Sequence, residues 1–493
     1  MNILGISAGY HDAAATVITS AGDIVFAGHS ERYSKQKNDP KISAGLLAEL
    51  CEYNYDTVAY YERPWMHNLQ QLYTGQHDLG PWTVRGALKQ QLGAWYKYPA
   101  GKEVAYPHHL SHAASGFQTS PFDRATVVVI DAIGEFDTAT IWGAEYDAAG
   151  RATYKKLWGQ RYPHSIGLFY SAVTKRLGLS PLDEEYIVMG MAAYGSTMSS
   201  VLMHSDLVAS VRDVRFKENL HAGLDDTAFN GYTDADIAAG AQLVAEELIY
   251  SIMQRAREFN WSTNLVYQGG VALNCLANRT LGNYFENIWI MPCPGDAGSS
   301  LGAAALAYGR RIHWTTAGLG HAIAGEYPVG AVVDHLLRDR IVGVASGRAE
   351  FGPRALGNRS LLADPRGLDI KDRVNAIKRR QQFRPFAPVV LEEHAATYFD
   401  MPPGFTKSPY MQAVGRCREP EAYPAIVHYD GTSRVQTVAA DGSGIRKLLE
   451  AWYQATGCPL LLNTSLNIRG EPMVNNRADA DRFEALYGVR VCS

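Results

Sequence analysis

Three apolar runs, each stopping at a glycine-rich turn, constrain this chain more than any other feature. Asn2–Ser7 runs into Gly9, residues 126–130 into a turn around Gly134, and Asn264–Gln268 into Gly269-Gly270. Short buried strands closed by glycine belong to α/β folds, and the N–H groups of such turns can approach a ligand phosphate. After the first turn, residues 13–18 resume apolar character, and Gly22-Asp23 turns the chain again before 24–27. Short strands joined by tight turns therefore open the sequence. Residues 126–130, a turn over 131–135 and an apolar run over 138–146 make a second unit of the same flavour. Helical spacing over 237–259 puts Ile237, Ala241, Val244, Leu248, Ile252 and Met253 on one face. Residues 297–309 are nearly all small or apolar and predict a closely packed helix.

A chain of 493 residues exceeds one ordinary core, so two domains are expected. The polar, glycine-containing stretch around 314–330 reads as a linker, and 341–346 begins a fresh strand, which divides the chain into 1–331 and 332–493. The net charge of −4 argues against a nucleic-acid binder held by bulk charge, while a local basic groove stays open. The sequence shows no basic leader before an apolar stretch and no apolar run of the roughly 18–20 residues a bilayer span needs. The six cysteines are scattered without a CxxC pair. Reduced thiols, a cytoplasmic location and no membrane partner are the expectation.

The sharpest local feature is Pro107-His108-His109-Leu110-Ser111-His112. Proline suits the first turn of a helix. On such a helix His108 and His112 lie at i and i+4, one turn apart on one face, a spacing that lets two imidazoles share a metal ion. A helix N-terminus that happens to be rich in histidine reads equally well. A further ligand is offered by Asp296 in Pro294-Gly295-Asp296, although that residue taken alone reads first as an N-cap. Two histidines and a carboxylate with open positions suit Fe(II), Mn or Zn. His11-Asp12 follows the first strand, where a histidine can move protons or simply partner an Asx turn. Asp131 and Glu135 bracket Gly134, placed either to face a nucleotide or to satisfy turn N–H groups.

Further on, Arg348, Arg354, Arg359 and Arg366 crowd one stretch, and Lys378, Arg379, Arg380 and Arg384 another. Asn463, Thr464, Ser465, Asn467 and Arg469 follow the apolar run 459–462. A charge run is ordinarily a solvated face. Here the charges are interleaved with Phe351, Gly352, Pro353, Gly357 and Pro385, so ordered backbone and a polyphosphate site are favoured.

Taken together, GISAGYHDAA, HHLSHAASGF, PHSIGLFYSAVT, YIVMGMAAYG, GGVALNCLANR, PGDAGSSLGAA, GRAEFGPRALGNRSLLADPR, FRPFAP and NTSLNIRGEP resemble, in order and over nearly the whole chain, the carbamoyltransferases of nodulation-factor and antibiotic biosynthesis. The resemblance implies an α/β protein. Its N-terminal domain would be of the actin/sugar-kinase (ASKHA) superfamily, akin to the tRNA threonylcarbamoyl-transfer enzyme. Its C-terminal α/β domain would be YrdC-like, the threonylcarbamoyl-AMP synthase fold. It further implies an ATP-dependent O-carbamoyltransferase. Such an enzyme makes carbamoyl-adenylate from carbamoyl phosphate and Mg-ATP, then passes the carbamoyl group to an acceptor hydroxyl.

By position, His108, His112 and Asp296 resemble metal ligands, for Fe(II) or a similar divalent ion. His11, Lys37 and Asp131 are carried over as catalytic residues. Gly134, Glu135, Gly269, Gly270 and Asn274 are nucleotide contacts of the transfer domain. Arg348, Arg354, Lys378, Arg380, Arg384, Asn463 and Ser465 form the adenylation site.

Two positions depart from the family pattern, Ile187 where lysine is usual and Asn38 where histidine is frequent, and both fall where acceptor contacts are plausible. The acceptor therefore stays open among sugars, natural-product hydroxymethyl groups and 5-hydroxymethylcytosine in a nucleotide or DNA. A kinase that phosphorylates a hydroxylated small molecule is the competing reading, and a homodimer is the default assembly.

Overall fold

The computed structural model describes residues 2–77, 79–93 and 102–493. The chain divides into two compact units. The first holds residues up to Ser34, Asn38–Leu273 and Asn283–Thr316, and the second holds Lys35–Lys37, Asn274–Gly282 and Ala317–Ser493.

The first unit is built on two five-stranded sheets of identical plan. In one, β1 (Asn2–Ser7), β2 (Ala14–Thr19) and β3 (Ile24–His29) form an antiparallel meander, and β4 (Thr57–Tyr60) and β5 (Lys102–Ala105) add in parallel beyond β1, giving the order β3-β2-β1-β4-β5. In the other, β6 (Arg124–Gly134), β7 (Asp137–Tyr146) and β8 (Ala152–Arg161) form the meander, and β9 (Asn264–Gln268) and β10 (Asn287–Trp289) add in parallel beyond β6. The second unit of similar pattern read from the sequence is thus a full topological repeat.

The central strands are covered on both faces. Val127, Val128, Val129 and Ile130 are all fully buried, which explains a continuous apolar run rather than an alternating one. β6 is longer than expected. Residues 131–134 continue the strand, with an irregular register between Ile130 and Gly134, and the chain turns at Glu135 and Phe136. Pairing resumes at Gly134 with Asp137, so the ladder reaches the glycine that ends the strand.

Four helices matter for the site: α1 (Pro64–Tyr73), α2 (His108–Phe117), α3 (Asp234–Glu258) and α4 (Ser299–Tyr308). α2 follows the last strand of the first repeat and α4 the last strand of the second. α3 opens on a capping box of Thr233 and Asp236 and buries the six residues expected of its apolar face. α4 is the small-residue helix. Its Gly302 lies so close to α2 that an added Cβ would come within 1.8 Å of the Ser111 carbonyl oxygen.

The second unit centres on a six-stranded mixed sheet. It uses β12 (Ile341–Ala345), β14 (Arg359–Ala363), β15 (Ala387–Leu391), β16 (Gln436–Val438), β17 (Leu460–Ser465) and β18 (Val491–Cys492), in the order β16-β15-β17-β14-β12-β18. Period-two alternation feeds two cores. Ile341, Ala345, Leu460 and Leu462 enter one. Val342, Val344 and Leu461 enter the other, under α5 (Val329–Asp339) and α6 (Gly444–Thr456). The stretch around 314–330 is not plain linker. It carries β11 (Gly318–Ile323), which pairs with β13 (Gly347–Glu350), so this unit begins at Ala317, ahead of the boundary near 332 that composition implied.

Candidate functional site

Within the first unit, strand ends and helix starts from both repeats meet at one place. Asp131 lies near the end of β6 and His11 in the loop after β1; His108 and His112 open α2, and Asp296 stands on the 3-10 turn leading into α4. Crevices beyond the carboxyl ends of strands, where strand order reverses, are where open α/β sheets place their ligands.

Four side chains converge there. His108 Nε2 and His112 Nε2 are 3.1 Å apart. Asp296 Oδ1 lies 3.1 Å from His112 Nε2 and 3.3 Å from His108 Nε2. Asp131 Oδ2 lies 3.1 Å from His112 Nε2 and 3.5 Å from His108 Nε2. All four donor atoms fall within 4.8 Å of one another. Donors sharing one ion at bonds of about 2.0–2.2 Å stand roughly 3 Å or slightly more from each other, so the spacing fits a single divalent cation. The helical i, i+4 reading of the histidines holds. Asp296 is the first residue of the turn rather than its N-cap, which is Gly295, and its carboxylate faces the two histidines. Asp131, expected as a catalytic residue, stands among the donors instead.

The electrostatics follow from that crowding. Burial resists charge on His108 and His112, but Asp296 and Asp131 outweigh it and hold both imidazoles above the usual histidine range. Asp131 sits well below the carboxylate range: burial opposes ionisation, and the two histidines overcome it. Asp296 is likewise lowered, against burial, chiefly by His108. His109 looks the other way, with Nδ1 2.9 Å from the Thr140 hydroxyl, and burial followed by its two charged neighbours keeps it neutral.

Around the donors lies a layer that composition did not disclose. Glu62, two residues beyond β4, places Oε2 3.5 Å from His108 Nδ1 and 3.6 Å from His67 Nδ1 on α1. Its only signal in the sequence is a carboxylate just after a buried strand, in Tyr60-Tyr61-Glu62. His11 Nδ1 is 3.0 Å from Asp12 Oδ2, and its Nε2 is 3.6 Å from Asp296 Oδ2. Burial works against its charge, yet Asp12 and Asp296 raise it to about 9.

The residues expected to cradle a nucleotide have other contacts here. A Cβ on Gly134 would stand 2.5 Å from His108 Cδ2 and 2.6 Å from His109 Cδ2, so this glycine exists to admit the imidazoles. Glu135 accepts from the Arg63 backbone N–H at 2.9 Å and from its Nε at 3.0 Å, and pairs with the rest of that guanidinium. Gly269, at φ +90°, passes so near β6 that a Cβ would lie 2.1 Å from the Ile130 carbonyl oxygen. The Gly270 N–H points at Asp131 Oδ1 (3.3 Å), which Ala132 N–H also reaches (2.9 Å). The glycine pair therefore aims Asp131. Asn274 caps the helical turn Cys275–Asn278.

In the second unit, Lys378 is buried. Its Nζ donates to Ser465 Oγ at 3.2 Å, to the Asn467 carbonyl at 2.9 Å and to Asn467 Oδ1 at 2.9 Å, as well as to the Ser465 carbonyl. Burial, then Arg380, Arg384 and Lys37, push its pKa well below the lysine range. Lys37, carried over as a catalytic residue, belongs to the second unit, where its charge bears on Lys378. Arg380 donates to Asn375 Oδ1 (2.7 Å) and lies 4.2 Å from the Phe386 ring centroid. Asn463 donates to Gln436 Oε1 (2.7 Å) and the Ala355 carbonyl (3.1 Å), while its Oδ1 is buried without a partner. Arg354 is half-buried.

Two arginines of the run donate to backbone carbonyls. Arg348 donates to the carbonyls of Leu319 (2.7 Å) and Gly320 (3.2 Å). Arg359 is fully buried and spends its guanidinium on the carbonyls of Ser346, Gly347, Asn358, Asn475 and His321. Of the two departures from the family pattern, Ile187 is 1% exposed. Asn38 takes φ +52° and donates its N–H to Glu31 Oε2 at 3.1 Å.

Residues 83–305 match the sequence pattern of the carbamoyltransferase N-terminus, and residues 333–491 that of the carbamoyltransferase C-terminus. An uncharacterised protein of Synechocystis is 32% identical, with 98% of this chain and 94% of that protein covered. The nodulation protein NolNO of Sinorhizobium fredii is 31% identical over 95% of this chain and 76% of its own. This chain belongs to the carbamoyltransferase family. The 3'-hydroxymethylcephem-O-carbamoyltransferase of Amycolatopsis lactamdurans is 30% identical, covering 77% of this carbamoyltransferase and 78% of its own length. All four clustered donors fall in the N-terminal match, and Lys378 with its neighbours in the C-terminal one. Among the described residues, no helix is long and apolar enough to cross a membrane.

Proposed function

We propose that this carbamoyltransferase is an ATP-dependent, cytoplasmic O-carbamoyltransferase whose two units divide the reaction. The observation that carries the reading is the four-donor cluster of His108, His112, Asp131 and Asp296 in a chain of this family. The duplicated β3-β2-β1-β4-β5 plan supports an actin/sugar-kinase-like transfer domain, and the mixed sheet around Lys378 is read as the YrdC-like activating domain.

In the second unit, Lys378, Lys37, Arg380 and Arg384 form the positive surround for Mg-ATP and carbamoyl phosphate, with Arg354, Asn463 and Ser465 as further contacts. Arg348 belongs to the same set and also donates to the Leu319 and Gly320 carbonyls. By atom balance, making carbamoyl-adenylate from the two substrates consumes one water and releases phosphate and pyrophosphate. Adenylation supplies a better leaving group and a nucleotide handle that positions the reacting carbon.

In the first unit the cluster is the seat for Fe(II) or a similar divalent ion, whose bound chemistry is polarisation of a carbonyl or phosphoryl oxygen. Gly269 and Gly270 hold Asp131 in place for it. Asp12 orients His11 through Nδ1, as a carboxylate orients a catalytic histidine, and Nε2 would accept a proton once a cation held at the cluster offsets the Asp296 charge that raises His11. The acceptor oxygen bonds to the carbamoyl carbon, the bond from that carbon to the AMP oxygen breaks, and the hydroxyl proton passes to His11.

The acceptor is a hydroxyl of a sugar, of a natural-product hydroxymethyl group or of a 5-hydroxymethylpyrimidine. Long DNA is the least favoured form, since its binding leans on Lys and Arg and this chain carries a net −4. Incubating the purified protein with ATP, carbamoyl phosphate and Fe(II) should give carbamoyl-adenylate by mass spectrometry. A panel of hydroxylated acceptors should then show one carbamoyl mass gain with AMP as product. Failure to form the adenylate sinks the reading, and ADP as the nucleotide product would mark a kinase.

A further inference from the structure

Glu62 is a carboxylate with 3% exposure, and the partners the structure gives it are two imidazoles. A buried carboxylate is costly unless something compensates it. One oxygen, Oε2, faces both His108 Nδ1 at 3.5 Å and His67 Nδ1 at 3.6 Å. For His108 to present Nε2 to the donor cluster, its proton must sit on Nδ1, the atom that faces Glu62. Neither His108 Nδ1 nor His112 Nδ1, both buried, makes a hydrogen bond, but His108 Nδ1 faces the Glu62 carboxylate at 3.5 Å. Among the described residues, His108 alone of the two has a carboxylate facing its Nδ1.

The backbone fixes this arrangement from both sides. Ser111, on α2 between the two histidines, donates its hydroxyl to the Tyr61 carbonyl at 2.7 Å, which ties the residue before Glu62 to the helix that carries His108. The Tyr61 ring lies against His108, centroids 5.1 Å apart. On the far side His67 is capped by the Tyr10 ring, stacked at 3.9 Å.

We infer that Glu62 is a positioning residue of the transfer site: it sets the tautomer and ring orientation of His108 and strengthens its Nε2 as a metal donor. The inference rests on the proposed metal seat. Carboxylates behind metal-bound histidines act this way in other proteins, and losing one typically weakens metal binding tenfold to a hundredfold.

The test is Co(II) binding to the chelator-stripped full-length protein, followed by visible absorbance and by the rise in Tm on adding metal. Glu62→Ala should bind Co(II) about 10- to 100-fold more weakly than wild type. Glu62→Gln, which keeps an oxygen facing Nδ1, should lose less, and the Tm of the metal-free proteins should hardly change. If Glu62→Ala does not fold, the near-isosteric Glu62→Gln carries the comparison. His67→Phe keeps the stack on Tyr10 and should leave Co(II) affinity within about threefold, well inside the range expected for Glu62. An equal loss in His67→Phe would mean Glu62 acts only through packing, and overturns the assignment. Wild-type binding that is lost in His112→Ala but unchanged in Glu62→Ala overturns the role of Glu62 alone. Absence of binding to wild type overturns the metal seat and Glu62 with it.

Discussion

Gly134 has no room for a methyl group, because the His108 and His109 rings occupy the space a Cβ would take. Gly134→Ala must displace one of those rings or bend β6. It should destabilise the protein by about 1–3 kcal/mol, as overpacked interiors do, and weaken Co(II) binding as well. Urea unfolding and the Co(II) titration check both; unchanged values in both would show that the rings move freely. Asp131→Asn keeps the shape but removes one of the two carboxylate charges facing the histidines. Its loss of Co(II) affinity should exceed that of Glu62→Gln, on the order of 100-fold or more, because it alters a donor rather than a residue behind one. At this scale the sequence revealed much. His108 and His112 followed from helical spacing, and Asp296 from its turn. Asp131 was legible as chemistry but not as a donor, since nothing local shows which face of a strand end meets a distant helix. Glu62 was not legible, because its meaning lies in His108, 46 positions away in the chain.

Elements place these side chains by repetition. The first repeat contributes both histidines from the helix after its last strand, and the second contributes Asp131 from its first strand and Asp296 from the turn leading into the helix after its last strand. In the second unit the elements are tied by ions as well as by packing. Arg446 on α6 donates to Glu393 Oε1 at 2.7 Å and to Glu450 Oε1 at 2.7 Å. Arg446 holds the Glu393 carboxyl at about 2, below its ordinary 4.5. A carboxyl lowered on folding contributes stability that is full above the unfolded value and is lost as pH falls through the folded one. The stability difference between wild type and Arg446→Met should therefore be constant above pH about 5 and shrink toward pH about 2, as read from urea unfolding at a series of pH values. A gap that does not change with pH would assign the contribution of Arg446 to packing. β11 shows where element reading from composition stopped: Gly318–Ile323 is short and glycine-rich, and pairing with β13 is what makes it a strand.

At the scale of the whole molecule, two compact units and two clusters predict separable half-reactions. Lys378→Met should abolish carbamoyl-adenylate formation while leaving transfer from chemically supplied carbamoyl-adenylate within a few-fold of wild type. His112→Ala should do the reverse, forming the adenylate and losing transfer by on the order of 100-fold or more, the scale at which metal sites fail. Mass-spectrometric product analysis distinguishes them, and parallel loss of both steps in either variant would argue for one shared site. Chelation should reproduce the His112→Ala pattern, and adding Fe(II) should restore transfer.

By itself the sequence determined the α/β character, the strands ending in glycine turns, the pair of histidines one helical turn apart and the family. Each of these is written in local order, by periods of two and 3.6 residues, by turn chemistry and by motifs in succession. The tertiary structure decided that Asp131 joins the histidines and Asp296, that Gly134 and Gly270 serve those side chains, and that Lys37 keeps company with Lys378. It also showed that Arg348 and Arg359 donate to backbone carbonyls. The physical reason is common to all of these. A donor, a clamp and a spacer are defined by partners far along the chain, and only folding chooses which distant atoms come within 3–4 Å, the range in which charge and hydrogen bonds act.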